Sequence, residues 1–459
     1  MKKILLLLIT AITFTACNST PPNIVFIFAD DWGWGDLSIH GSEIYQTPNI
    51  DLLATQGTDF HQFTVNSPVC SPSRVAVMTG HFPDRYNINR HFASIDHNVQ
   101  TGMPDWLDPT APMLSRVLKD AGYFTGHFGK WHLTNRWIKD APLPDQYGFD
   151  EYDAFNLPGN NMPPAQTADR AVDFIRRHYD ESFFVNIWLH ETHTPHYPES
   201  EFLEKFENFE DAEQVYAAIV AAGDRDVGKI LNVLEELNLS ENTIVIFSSD
   251  NGPETQTESK KHNDLSTGKG LGRFYSVGTV GGMKGQKRSL FAGGVRVPFI
   301  VRWPDNVPEG KTDTSSVMTA VDLLPTLASA AGAKLPDDYK SDGESFLSAL
   351  KGESFNRNKS IYWTWPLGLN NHDSTSHYWP HQAYQSDGWK LLINEELGTI
   401  ELYNVLGDWY EKDNIAAKNP DLVKRLLAEM TELRATFPEY PRSEVLSSLR
   451  NSEKNGTEQ

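Results

Sequence analysis

This 459-residue chain predicts an α/β fold, a large mixed and mostly parallel sheet sandwiched by helices, with a smaller α+β domain at its C-terminal end. Three observations predict it. Short apolar runs rich in β-branched and aromatic residues, such as IVFIF at 24–28 and TIVIFSS at 243–249, read as buried strands. Between such runs, apolar residues recur every three or four positions, and strands alternating with helices imply parallel pairing with helices on both faces. From about residue 355 the composition shifts to short aromatic strands.

In order along the chain, residues 1–16, MKKILLLLITAITFTA, place two lysines before an apolar run that ends in small residues, the layout of a secretory leader rather than a folded element. Cys17 and the polar stretch after it, 17–22, are similar to the tether of a bacterial lipoprotein with Cys17 lipidated; an ordinary cleaved leader is the plainer alternative. The expectation is an exported chain, held by a lipid anchor in the periplasm or at the cell surface of a bacterium.

Residues 23–354 are expected to form the larger domain. The strand at 24–28 is bounded by Pro22 and by Asp30 and Asp31. A helix around Pro112–Asp120 stops at Gly122, followed by the strand YFTGHF, the helix TADRAVDFIRR and the strand FFVNIWL at 183–189. Val215, Ile219, Ala222, Val227, Ile230, Leu234 and Leu237 mark a long amphipathic helix before the strand that ends at Asp250. The stretch 252–288, rich in Gly, Ser, Thr and Lys, reads as a loop over the carboxyl edge of the sheet, where such folds bind ligands. VRVPFIVRW resumes a strand and VDLLPTLASAAG a helix. The smaller domain, 355–442, holds SIYWTW, GWKLLIN, IELYNV and a last helix, PDLVKRLLAEMTELRAT, while 443–459 reads as a loose polar tail. No internal repeat is apparent.

The formal charge is −21. Removing Lys2 and Lys3 with the leader leaves 38 basic against 61 acidic residues, a balance of −23 that excludes nucleic acid and anionic lipid as partners. Only two cysteines occur. With Cys17 lipidated, Cys70 has no partner for a disulfide in an oxidising compartment, so it requires another explanation.

Cys70 lies in SPVCSPSR, between Pro68 and Pro72 and four residues before Arg74. The string Cys70-Ser71-Pro72-Ser73-Arg74 has the form C-x-P-S-R, and NIVFIFADDWGWGDL, TGHFPDR, GKWH, SSDNG, GGVRVPFIVRWP and ELYNVLGDWYEKDNIA surround it in order. On these blocks the chain resembles the type I, formylglycine-dependent sulfatases of the alkaline-phosphatase-like superfamily, bacterial polysaccharide sulfatases among them. The resemblance implies that a formylglycine-generating or sulfatase-maturating enzyme converts Cys70 to formylglycine (3-oxoalanine), and that one calcium ion is bound per chain. A thiol would be trapped as a thiosulfate ester, whereas a hydrated aldehyde attacks sulfur with one hydroxyl and expels sulfate by deprotonating the other. Pro72 is tolerated at a helix start, so the nucleophile would sit at a helix N-terminus, a good place for an anion.

Asp30, Asp31, Asp250 and Asn251 are oxygen donors at the ends of two strands expected to be adjacent, and three packed carboxylates imply a hard divalent ion, calcium fitting best. The resemblance adds Cys70, once converted, to these ligands. Arg74 falls on the helix face of Cys70 and can donate to the modified side chain or to sulfate. Lys130 and His132 alternate on an extended segment; by resemblance Lys130 contacts sulfate and His132 helps deprotonate the second hydroxyl. His190-Glu191-Thr192-His193 departs from a zinc-protease helix, because position 194 is Thr. The resemblance selects His196, before Tyr197 and Pro198, as sulfate contact and proton donor to the leaving group, with His193 able to share that role. In GMKGQKRSLFAGGVR it selects Lys287 over Lys284, although Gln286, Arg288 and Ala292 depart from the family pattern.

For the substrate, sulfated carbohydrates such as ulvan or carrageenan, or host glycosaminoglycans, are expected, with the aromatic stretch at 362–384 available for stacking on sugar rings. Arg85, Asn89, Arg90 and His91 are candidate substrate contacts. Competing readings are a phosphonate or phosphodiester hydrolase of the same superfamily, and a non-catalytic surface lipoprotein that binds polysaccharide.

Overall fold

The apolar run Asn23–Ala29 (β1) is buried at every position, and its alternation feeds two cores at once. Ile24, Phe26 and Phe28 enter one hydrophobic cluster, Val25, Ile27 and Ala29 the other. A strand covered on both faces belongs in the middle of a parallel sheet, where each large side chain contributes about 1.5–3 kcal/mol by burial. The computed structural model describes residues 20–254, 269–366 and 379–451. The expected leader, Cys17, part of the 252–288 loop, part of the 362–384 stretch and residues 452–459 lie outside the described residues.

Eight strands form the main sheet: β1, β2 (Thr58–Phe60), β4 (Phe124–Lys130), β5 (Glu151–Phe155), β6 (Phe183–Trp188), β7 (Thr243–Ser249), β8 (Phe299–Arg302) and β9 (Lys311–Asp313). Their order is β5-β4-β6-β1-β7-β8-β2-β9. Pairing is parallel from β5 to β7; β8 runs antiparallel to both β7 and β2. Two short strands, β3 (Phe63–Thr64) and β10 (Met318–Thr319), pair beside it. Helices Thr167–Arg177 and Asp211–Glu236 pack together over one face, and Cys70–Thr79, Leu114–Asp120 and Leu323–Ala330 over the other. The register pairs Ala29 with Ser249, so Asp30 and Asp250 leave the sheet side by side. β4, β6, β1 and β7 thus deliver Lys130, His190, Asp30 and Asp250 along one carboxyl edge, the usual ligand crevice of an open α/β sheet.

The C-terminal part is a four-stranded antiparallel sheet of β11 (Ile361–Thr364), β12 (Gln382–Ser386), β13 (Trp389–Asn394) and β14 (Thr399–Asn404). Helix Pro420–Arg434 covers it through Leu426 and Met430. Among the described residues no helix is long and apolar enough to cross a membrane.

Two expectations are corrected. In VRVPFIVRW only Phe299–Arg302 is strand, and Val295 closes a helical turn from Ala292. The tail is not loose from 443: Val445 is buried with Ile95, Trp106, Ile138 and Ala141. The Ser447 amide (2.7 Å) and Arg450 Nε (2.5 Å) both donate to Asp105. A few apolar contacts and one buried carboxylate suffice to dock a segment whose composition reads as polar.

Candidate active site

Val69 is extended (φ −147°) and Cys70 opens the helix Cys70–Thr79, whose residues are all buried. The turn is held by Ser73 Oγ donating to Ser67 O at 2.8 Å and by the Phe92 amide donating to Ser71 Oγ at 3.0 Å. Burial, with Asp30 and Asp250 near and Lys130 only partly opposing, pushes the Cys70 thiol up to about 12. It therefore stays protonated at neutral pH and is a poor nucleophile as a thiol.

Asp30 is fully buried and accepts from Lys130 Nζ at 2.6 Å and His190 Nδ1 at 2.5 Å. Burial alone would raise its carboxyl, but Lys130, His193 and Arg74 hold it well below the ordinary range. Asp31 adopts a left-handed conformation (φ 64°), takes Lys287 Nζ at 2.5 Å and Asn251 Nδ2 at 2.7 Å, and donates its amide to Asp250 Oδ1. Burial raises Asp31 despite Lys287, and burial together with Asp30 pushes Asp250 up to about 7 despite Arg74. Two carboxyls that resist ionisation mark a missing positive charge. Asp30 Oδ1 and Asn251 Oδ1 are buried without hydrogen-bond partners, and ligand atoms of Asp30, Asp31, Cys70 and His193 lie within 4.8 Å of one another. The oxygen-rich donor set and its orphaned acceptors fit a hard divalent cation.

Arg74 is fully buried and contacts Asp250 Oδ2 at 2.7 Å, Asp30 Oδ1 at 3.3 Å and Lys130 O at 3.2 Å, over the Trp188 ring. Its donors serve the carboxylates. Lys130 Nζ reaches Cys70 Sγ at 3.5 Å. Lys287 stands on the other side of the nest, against Asp31, whereas Lys284 turns away to Glu401 at 2.7 Å and Tyr403 at 3.0 Å. Lys287 is therefore the lysine at the site. Its neighbour Arg288 pairs with Glu254, 3.6 Å from Lys287.

The histidines differ from expectation. β4 ends at Lys130 and His132 is left-handed (φ 53°), so backbone reversal, not strand alternation, aims it. Its Nε2 is tied to Phe92 O at 3.0 Å, its Nδ1 is buried without a partner, and burial with Lys130 holds its basicity well below normal. His193 is the histidine brought to the nest, with Nε2 at 3.8 Å from Asp31 and its ring stacked on His190. His196 is fully buried, bonded through Nε2 to Thr192 O and by its backbone to Leu271. His193 is thus the ring set beside Asp31, while His196 keeps a buried Nδ1 without a hydrogen-bond partner. His190 also belongs to the site, and the only signal for it was its position just past a strand end.

Of the candidate substrate contacts, His91 is exposed and 6.3 Å from the His132 ring, and Asn89 is half-buried with Oδ1 unpartnered. Arg85 is not available: both oxygens of Asp342 bind it at 2.6 Å, over the Phe437 ring. Arg90 is buried against Trp365 and bonds Pro366 O.

A family model described as Sulfatase matches residues 22–333. The chain belongs to the sulfatase family. A second model, N-sulphoglucosamine sulphohydrolase, C-terminal, matches 284–436, so the sulfatase match extends through the antiparallel sheet. The sulfatase is 32% identical over 397 residues to N-acetylgalactosamine-6-sulfatase of Canis lupus familiaris, covering 76% of this chain and 70% of that one. It is 27% identical over 499 residues to N-acetylgalactosamine-6-O-sulfatase of Bacteroides thetaiotaomicron, covering 89% and 92%. Its fold matches the crystal structure of Ps i-CgsB in complex with k-i-k-neocarrahexaose with a TM-score of 0.74, 28% identity and coverage of 92% and 96%. As a sulfatase, the chain is a sulfuric ester hydrolase.

Proposed function

We propose that this sulfatase hydrolyses sulfate monoesters on a carbohydrate, an algal polysaccharide of ulvan or carrageenan type, through formylglycine made from Cys70 and one calcium ion. The observation that carries the reading is Cys70 itself, a thiol held protonated at a helix N-terminus, 3.5 Å from Lys130 and inside a nest of carboxylates. Asp30, Asp31, Asp250, Asn251 and the converted side chain at 70 would hold the cation. When bound, calcium polarises the sulfuryl oxygens and formylglycine supplies a hydroxyl nucleophile.

This chain's residues do the rest. Lys130 and Lys287, fixed by Asp30 and Asp31 from opposite sides, present cations for the sulfuryl oxygens. Arg74 keeps Asp30 and Asp250 in place from beneath. His132, neutral and with Nδ1 unpartnered, is suited to accept a proton. His193, at the nest's rim, donates to the leaving oxygen, its depressed basicity recovering as a sulfuryl anion arrives beside it. His91 and Asn89 are the residues placed to meet the sugar.

A carbohydrate substrate is supported by the names of the relatives and by the hexaose held in Ps i-CgsB. The lipidated Cys17, export and a maturating enzyme as partner complete the proposal. Desulfation of a panel of sulfated oligosaccharides, with mass spectrometry of the 67–74 peptide, tests it. Sulfate release from one sugar class by converted protein supports the reading; full turnover by protein retaining an unconverted cysteine overturns it.

A further inference from the structure

Away from the catalytic nest, two imidazoles close on one carboxylate. His40 ends a short turn after β1, Asp59 lies within β2 and His61 follows it directly. His40 Nε2 is 2.9 Å and His61 Nε2 3.1 Å from the same oxygen, Asp59 Oδ2. His40 Nδ1 is 2.7 Å from Trp34 O, and a carbonyl oxygen only accepts, so Nδ1 carries the hydrogen. In the neutral ring the Nε2 lone pair then faces a carboxylate oxygen that also only accepts. Two lone pairs that close need a cation between them, a proton or a metal ion. Several features favour the metal. An imidazole anchored through Nδ1–H to a backbone carbonyl is the usual support of a metal-bound histidine. Asp59 Oδ1 is buried with no hydrogen-bond partner, leaving a second oxygen for coordination. The Trp34 ring stacks on His40 at 3.8 Å and meets His61 edge-on, fixing both donors. The His61 side chain is 21% exposed, against 1% for His40 and 5% for Asp59, so it provides the entry path.

We propose that His40, Asp59 and His61 form a second metal site, for a borderline first-row divalent ion of the zinc class, separate from the oxygen-lined nest. Two imidazoles, one carboxylate and a solvent-facing position match the donor preference of zinc, with ligand distances of about 2.0–2.2 Å on closure. Its role is structural. It fastens the loop after β1 to the β2–β3 connection, and Asp36 in that loop takes the Thr279 amide at 2.6 Å, in the segment that leads to Lys287.

The test is metal counting on the full chain in a Cys17→Ser, Cys70→Ser background with saturating calcium, so that no thiolate competes and the outcome does not depend on how either cysteine is used. With zinc added, about one equivalent should bind and be absent from His61→Ala and His40→Gln. Cobalt should give ligand-field absorption bands that these variants lack, and zinc should raise Tm only where His61 is present. Zinc binding unchanged in the variants, or no zinc and no cobalt spectrum in the parent chain, overturns the proposal. Where one variant fails to fold, the other still locates the ion, and absence of a cobalt spectrum in the parent chain overturns the proposal by itself.

Discussion

Lys284 and Lys287 stand three residues apart and have different partners, one at Glu401 and Tyr403, the other at Asp31. Lys287→Ala is expected to lower kcat/KM by about 10²–10³-fold, the usual loss of one preorganised cation, while Lys284→Ala stays within a few-fold; steady-state kinetics on one sulfate ester checks both. At Asp250 the sign of the pH effect follows from its shift. The folded carboxyl sits at about 7 against 3.8 unfolded, so the cation-free fold loses stability as pH rises through that window. A cation must displace the proton, so the calcium-induced rise in Tm is expected to be larger at pH 8 than at pH 5.5, as scanning calorimetry would read. Unconverted Cys70, buried and raised to about 12, should resist alkylation at pH 8 until the chain is unfolded. At this scale the acids and Cys70 were legible because they sit in short contiguous motifs. The placement of His193 beside Asp31 was not, since it depends on how one turn aims its rings.

Among the elements, β1 and β7 declared themselves by apolar runs ending in acids, and their pairing puts Asp30 beside Asp250. β5 and β12 escaped notice for a physical reason. EYDAF is a half-buried edge strand with no apolar run, and QAYQS carries polar residues on a small antiparallel sheet. The antiparallel insertion of β8 between β7 and β2 likewise leaves no mark on composition. β4 ends in a tight approach: Gly129 has φ +102°, and a Cβ there would meet Trp188 O at 2.2 Å. Gly129→Ala is therefore expected to cost about 2–4 kcal/mol in denaturant unfolding, combining backbone strain with overpacking next to Lys130.

Over the whole molecule, a net charge of −21 should repel a sulfated polymer, yet Arg74, Lys130 and Lys287 stand within a few ångströms of the nest, inside a Debye length of about 10 Å. The local field decides, and added salt is expected to raise kcat/KM modestly by screening the distant acids, measurable as a rate against ionic strength. The C-terminal segment shows how tertiary contacts override a polar composition. Asp105 gathers the Ser447 amide, Arg450 and Asn98, and its carbonyl accepts from Thr134, two residues beyond His132. A chain ending at Arg442 is expected to lose about 2–4 kcal/mol, read as a lowered Tm, from the exposed Val445 cluster and the unpaired Asp105. Synthesis runs from the N-terminal side toward that clasp, so residues 445–451 are the last described residues to leave the ribosome. Until those residues arrive, Asp105 lacks the Ser447 and Arg450 donors, and the segment that carries Thr134 and His132 is held by one fewer fixed neighbour.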